Sequence, residues 1–205
     1  MVQQTGGLFD RITTIDEAKF HWKPIFEKYN LTKRGLLGEG YKFDPVEYDR
    51  FIRQGASKFI QRDPDLRSFL LSLPQKRKVI FTNAPEESAN EILEILGVAD
   101  LFETVLGFDF LQNKVCKPEK LAFDMVLNHL GVQEADYPKV CYFEDSFKNL
   151  VVGKEFGFGT VFVSSTTLKS EGRSKEELSQ FDAVIKRKVG MGLKDTFPLL
   201  WESNR

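Results

Sequence analysis

The feature that most constrains this chain is a change of rhythm near residue 75. From Lys78 onward, short apolar runs at residues 79–82, 104–108, 140–143 and 160–163, with a weaker one at 183–185, alternate with amphipathic stretches at 86–96, 119–130 and 147–156. Apolar runs this short, bounded by polar or turn residues, read as strands; recurrence at i, i+3 and i+4 reads as helix. Strand, helix, strand in succession calls for right-handed crossovers, which give a parallel sheet with helices on both faces. The expected fold is therefore α/β, a Rossmann-like parallel sheet flanked by helices. Ligands of such sheets bind beyond the carboxyl ends of the strands.

Before residue 75 the apolar spacing is helical: Phe20, Trp22, Ile25, Phe26 and Tyr29, then Val46, Tyr48, Phe51 and Ile52, then Leu66, Phe69 and Leu70. This predicts a bundle of short helices. Thr14 followed by Glu17 forms a capping-box pattern. Gly35, Gly38 and Gly40 break the helical run, and Pro24 predicts a kink or a helix that starts there. The chain accordingly divides into a small helical cap, residues 13–75, and an α/β core, residues 1–12 and 76–205.

Composition narrows the function classes. Lys and Arg number 29 against 30 Asp and Glu, a net charge of -1, and no block of like charge forms a patch for nucleic acid or a membrane surface. No segment approaches the roughly 20 apolar residues of a membrane span. Residues 1–7 are neither basic nor apolar, unlike a secretory signal. Two cysteines, Cys116 and Cys141, would staple little in a chain of 205 residues and fit a reducing compartment. The expected location is the cytoplasm, and the composition is also compatible with the nucleus.

Three constellations sit at predicted strand ends. Val79-Ile80-Phe81 stops at Thr82-Asn83, whose hydroxyl, amide and backbone N–H groups can hold a phosphate oxygen; a helix cap is the plainer reading. Lys117-Pro118-Glu119 opens a helix with Pro at its first position, and the Lys117 amine just before it can reach into a strand-end cleft and neutralise a phosphate and a neighbouring carboxylate, or simply face solvent. Val140-Cys141-Tyr142-Phe143 delivers Glu144 and Asp145 to a strand terminus, and paired oxygen ligands there suit a hard cation such as magnesium, Mg2+. Acid preference at helix starts accounts for one of these carboxylates more readily than for two. His21 and His129 lie in helical patterns and receive no catalytic role.

In this order and spacing, Thr82-Asn83, Lys117-Pro118 and Glu144-Asp145-Ser146 resemble the second, third and fourth motifs of the haloacid dehalogenase (HAD) superfamily. The runs at residues 95–102, 117–123, 145–149 and 157–161 are similar to its pyrimidine 5′-nucleotidase branch, as are Gly35-Leu36 and residues 40–44 in the cap. The resemblance implies hydrolysis of a phosphate monoester, such as a nucleotide monophosphate, through an aspartyl-phosphate. It also implies an Asp nucleophile on the first strand, a second Asp two residues later as general acid/base, and Mg2+ bound by the nucleophile and the acidic motif. On that pattern Asp10 is the nucleophile and, with Glu144 and Asp145, a metal ligand, while Thr82, Asn83 and Lys117 hold phosphate.

The first motif departs from the family. In Leu8-Phe9-Asp10-Arg11-Ile12-Thr13-Thr14, Ile12 stands where the general acid/base belongs, and isoleucine carries no proton. Residues 3–7 are polar and glycine-rich, poor material for a buried central strand. Impaired catalysis is the expectation. The alternatives are a pseudoenzyme acting as a nucleotide- or phosphate-binding or protein-interaction module, or a shortened form. In the shortened form the central strand is replaced, the second and fourth motif strands pair directly, or open edges drive homo-oligomers.

Overall fold

The computed structural model describes residues 14–164, 173–186, 194 and 197–201; Asp10 and Ile12 lie outside them. The first helix, α1 (Ile15–Tyr29), starts with the expected capping box: Thr14 Oγ1 accepts from Glu17 N–H, and the Glu17 carboxylate accepts from Thr14 N–H. Pro24 does not begin a helix, because α1 runs through it and ends at Asn30 in the left-handed region. Next come α2 (Thr32–Gly38) and α3 (Pro45–Arg53). Gly35 and Gly38, expected as breakers, lie within α2, where a Cβ at Gly35 would stand 2.4 Å from Ile25 and one at Gly38 would stand 2.6 Å from the Tyr29 ring. Their smallness lets two helices approach; Gly40, at φ 88°, is the true turn residue.

The periodicity of α1 and α3 is real, but its apolar stripe is only partly covered: Phe20, Val46 and Phe51 are exposed. α4 (Pro64–Ser72), although within the stretch read as cap, packs on the sheet. Its Phe69, together with Leu73, is buried against Val161, Ala183 and Ile185.

The strands fall close to where the apolar runs predict: β1 (Val79–Phe81), β2 (Thr104–Leu106), β3 (Cys141–Glu144), β4 (Gly159–Ser164) and β5 (Ala183–Lys186). Helices α5 (Glu86–Leu96), α6 (Lys120–Leu130) and α7 (Phe147–Glu155) alternate with them, followed by a short α8 (Lys175–Leu178). Among the described residues the strand pairings are parallel: β1 with β2, and β3 with β4 with β5.

Among the described residues β1 and β3 belong to separate sheets, so direct pairing of the second and fourth motif strands is not what is seen. Thr82 N–H bonds to Leu106 O and Gly159 N–H to Val140 O, which by alternation along a strand turns the backbone edges of Val79 and Phe81, and of Cys141 and Phe143, away from β2 and β4. Side chains join the two sheets on one face, where Phe81, Phe123, Tyr142, Phe156 and Phe158 form a chain of ring contacts. Among the described residues no helix is long and apolar enough to cross a membrane.

Candidate active site

Two adjacent acids at the end of a strand must point to opposite sides of it. β3 obeys this rule. Glu144 turns inward, on the same face as Tyr142, and is 8% exposed; Asp145 turns out into a cleft of about 390 Å³. The cleft is walled by Asn83, Lys117 and Pro118 from two strand-end loops, by Asp145 to Asn149 at the start of α7, by Phe26 of α1 and Asn30 at its end, and by Arg173.

Lys117 is buried beneath this cleft. Its Nζ donates to Phe81 O at 2.8 Å and to Glu144 Oε2 at 2.6 Å, so one side chain ties the ends of β1 and β3 together. The ammonium also lies 4.9 Å from the Phe81 ring centre and 5.6 Å from that of Tyr142. Its backbone is fixed by Asn83, whose amide donates to Lys117 O at 3.0 Å and accepts from Lys117 N–H at 2.8 Å. An ammonium has three N–H groups. Two are engaged by these acceptors, which leaves one for an oxygen in the cleft.

Glu144 is held by donors on both oxygens. Oε2 accepts from Lys117, from the Tyr142 hydroxyl at 2.7 Å and from the Asn149 amide at 3.1 Å; Oε1 accepts from the N–H groups of Asp145 and Ser146, each at 3.0 Å. Burial pushes this carboxyl up, but the Lys117 charge and the surrounding donors outweigh it and hold it at about 2. Asp145 moves the other way: its hydrogen bond to Glu144, then burial, then the repulsion of that charge raise it to about 6. Burial, followed by the neighbouring Glu144 charge, pushes the Tyr142 phenol up, keeping it a donor. Gly153 makes room for that ring, since a Cβ there would stand 2.6 Å from Tyr142 Cδ1.

The structure thus brings Asn83, Lys117 and Asp145 to one cleft. Thr82 sits at the end of β1 but does not line it, and its hydroxyl accepts from Ala84 N–H at 3.0 Å. Pro118 precedes α6 rather than opening it, with Glu119 in the cap position. Sequence reasoning missed Tyr142 and Asn149. The signal was available: Tyr142 is two residues before Glu144 on the same strand face, and Asn149 lies in the first turn of the following helix. Phe26, Asn30 and Arg173 reach the cleft from distant segments and have no local signal.

Among the described residues no three His, Cys, Asp or Glu side chains gather to hold a metal ion. Asp145 nevertheless offers an open carboxylate oxygen, and magnesium is commonly held by one or two carboxylates, with water and substrate oxygens completing its shell. The donor chemistry fits Mg2+. Glu144 could join only by giving up donors that it now has.

Cys116 lies just before this lysine and is fully buried, beside Arg34 and Glu119. Burial, only partly offset by the Arg34 contact, raises its thiol to about 11. Because the thiolate is the nucleophile, Cys116 is expected to resist iodoacetamide at pH 8 in the folded protein and to react in urea. Peptide mass spectrometry reads both states, and rapid native labelling would contradict this burial.

A family model described as a haloacid dehalogenase-like hydrolase matches residues 12–157. Phosphate metabolism protein 8 of Saccharomyces cerevisiae is 24% identical over 184 residues, covering 80% of this chain and 57% of that protein. A phosphoglycolate phosphatase of Neisseria gonorrhoeae is 32% identical over 124 residues, 58% of this chain and 49% of that one. The chain therefore spans about half the length of these curated relatives. Among solved structures, a HAD phosphatase from Thermococcus onnurineus superposes with a TM-score of 0.59 at 18% identity, covering 88% of this chain and 79% of that one. The L-2-haloacid dehalogenase from Xanthobacter autotrophicus superposes with a TM-score of 0.53 at 19% identity, over 82% and 77%. These two share the fold.

Proposed function

Since the chain belongs to the haloacid dehalogenase-like hydrolase family, we propose that it is a phosphomonoester hydrolase slowed by the loss of its general acid/base. The observation that carries this reading is the joint placement of Lys117 and Asp145 in one cleft at the carboxyl ends of β1 and β3, bordered by Phe26 and Asn30. The backbone edges of β1 and β3 that face away from β2 and β4 have no strand partner among the described residues.

Asp10 attacks phosphorus, the ester oxygen departs, and an aspartyl-phosphate forms; water then attacks that phosphorus, releasing phosphate and restoring Asp10. Lys117 gives its remaining N–H to a phosphoryl oxygen, and Asn83 keeps the lysine backbone in place. Thr82, which does not line the cleft and whose hydroxyl accepts from Ala84 N–H, is given no contact with phosphate in this scheme. Asp10 and Asp145 would hold Mg2+, which supplies neutralising charge beside the phosphoryl oxygens when bound. With Ile12 in the acid/base position, the departing oxygen takes its proton from water. That is the slow feature.

Likeness to the pyrimidine nucleotidases points to nucleoside monophosphates as substrates, whereas the name of the Neisseria relative points to a smaller ester. The basic test is release of inorganic phosphate from an aryl phosphate and from nucleoside monophosphates, with and without EDTA. We expect slow, magnesium-dependent release, reduced at least about 10²-fold in Asp145→Asn, the scale of losing a charged group that acts on the transition state. Absence of any such release in the unaltered chain would overturn the hydrolase reading; phosphate binding without release would favour the pseudoenzyme.

A further inference from the structure

Beyond the phosphoryl-binding groups, the cleft carries two cations that the mechanism does not use, Lys148 and Arg173. Lys148 has no ion pair or hydrogen bond among the described residues. Arg173 is held in place: its guanidinium carbon lies 4.2 Å from the centre of the Phe147 ring, and Nη1 donates to Glu177 at 2.9 Å. One N–H is thereby committed of the five that a guanidinium carries. A guanidinium fixed against a ring presents its remaining edge without further loss of rotamer freedom, and that planar edge matches a carboxylate. The volume, about 390 Å³, suits a small molecule.

Building on the hydrolase reading, we infer that Arg173 and Lys148 form a subsite for a second anionic group, and that the substrate is a small phosphate ester bearing a carboxylate. A nucleoside offers these two cations no such charge. Phe147 is also ill placed to stack on a base over the face where Arg173 already lies.

A matched pair of esters tests this. 3-Phosphoglycerate and glycerol 3-phosphate differ at one end, carboxylate against hydroxymethyl. With the full chain and magnesium, kcat/KM is expected to be higher for 3-phosphoglycerate by about 10- to 100-fold, the scale of a charge-assisted hydrogen-bonded contact. Arg173→Gln and Lys148→Gln should each shrink that ratio, and together bring it close to one, while Lys19→Gln, a charge removed on the exposed side of α1, leaves it intact. Circular dichroism confirms that the variants fold.

Equal rates for the two esters in the unaltered chain overturn the subsite and leave the hydrolase reading standing. If neither ester releases phosphate, calorimetry with the same pair decides: tighter binding of 3-phosphoglycerate, lost in Arg173→Gln, upholds the subsite, and equal or absent binding overturns it.

Discussion

Phosphate release by Ile12→Asp is expected to exceed that of the unaltered chain by about 10²- to 10⁴-fold, the usual contribution of a positioned general acid/base. The expectation follows from the spacing of Asp10 and Ile12 and from the presence, in one cleft, of the lysine and carboxylate that complete the family's chemistry. The restored carboxyl would protonate the departing ester oxygen and then take a proton from the attacking water. Steady-state release from an aryl phosphate measures the gain, and Asp10→Asn in the same background should abolish it. An unchanged rate would mean that residue 12 does not stand beside the reacting atoms.

Replacing Lys117 by Met is expected to lower stability by about 3–5 kcal/mol, the cost of leaving one partner of a buried ion pair alone. Glu144 would keep its four other donors but lose the opposite charge. Adding Glu144→Gln should recover much of the loss, because no buried charge then remains. Urea midpoints of the metal-free protein measure both effects.

The pH dependence carries a sign. In the unaltered chain Glu144 titrates at about 2 against an ordinary 4.5. Its contribution is therefore complete above pH 4.5 and fades as the pH falls toward 2. In Lys117→Met the ammonium no longer lowers the Glu144 carboxyl while burial and the four other donors remain, so this group's loss of stability in acid is expected to be smaller. Parallel slopes for the two proteins would remove Lys117 as the cause of the depressed carboxyl.

Much of the core was legible because its code is local. The runs ending at Thr82 and Glu144 announce strands, and the amphipathic stretch of residues 86–96 announces a helix with the same bounds as α5. Strand partners were not legible. Which run lies beside which is fixed by contacts between distant faces, such as Phe69 and Leu73 of the α4 region against β4 and β5. Glu144 shows a further limit. Its position beside Asp145 suggested two equivalent ligands, whereas strand alternation sends one carboxylate toward Lys117 and the other toward the cleft. Pro24 and Gly35 misled for the opposite reason: local preference marks them as interruptions, yet both lie within helices. The contribution of α1 to the site, Phe26 and the capping Asn30, depends on how that helix is set against distant segments.

That setting depends on a tether. Arg34 of α2 pairs with Glu119, two residues beyond Lys117, while the Cys116 thiol donates to Tyr29 O at 3.7 Å. The segment that carries Lys117 is thus anchored on either side of the lysine to α1 and α2. A substitution that displaces α1 or α2 would therefore be passed to the backbone of the lysine through these two contacts.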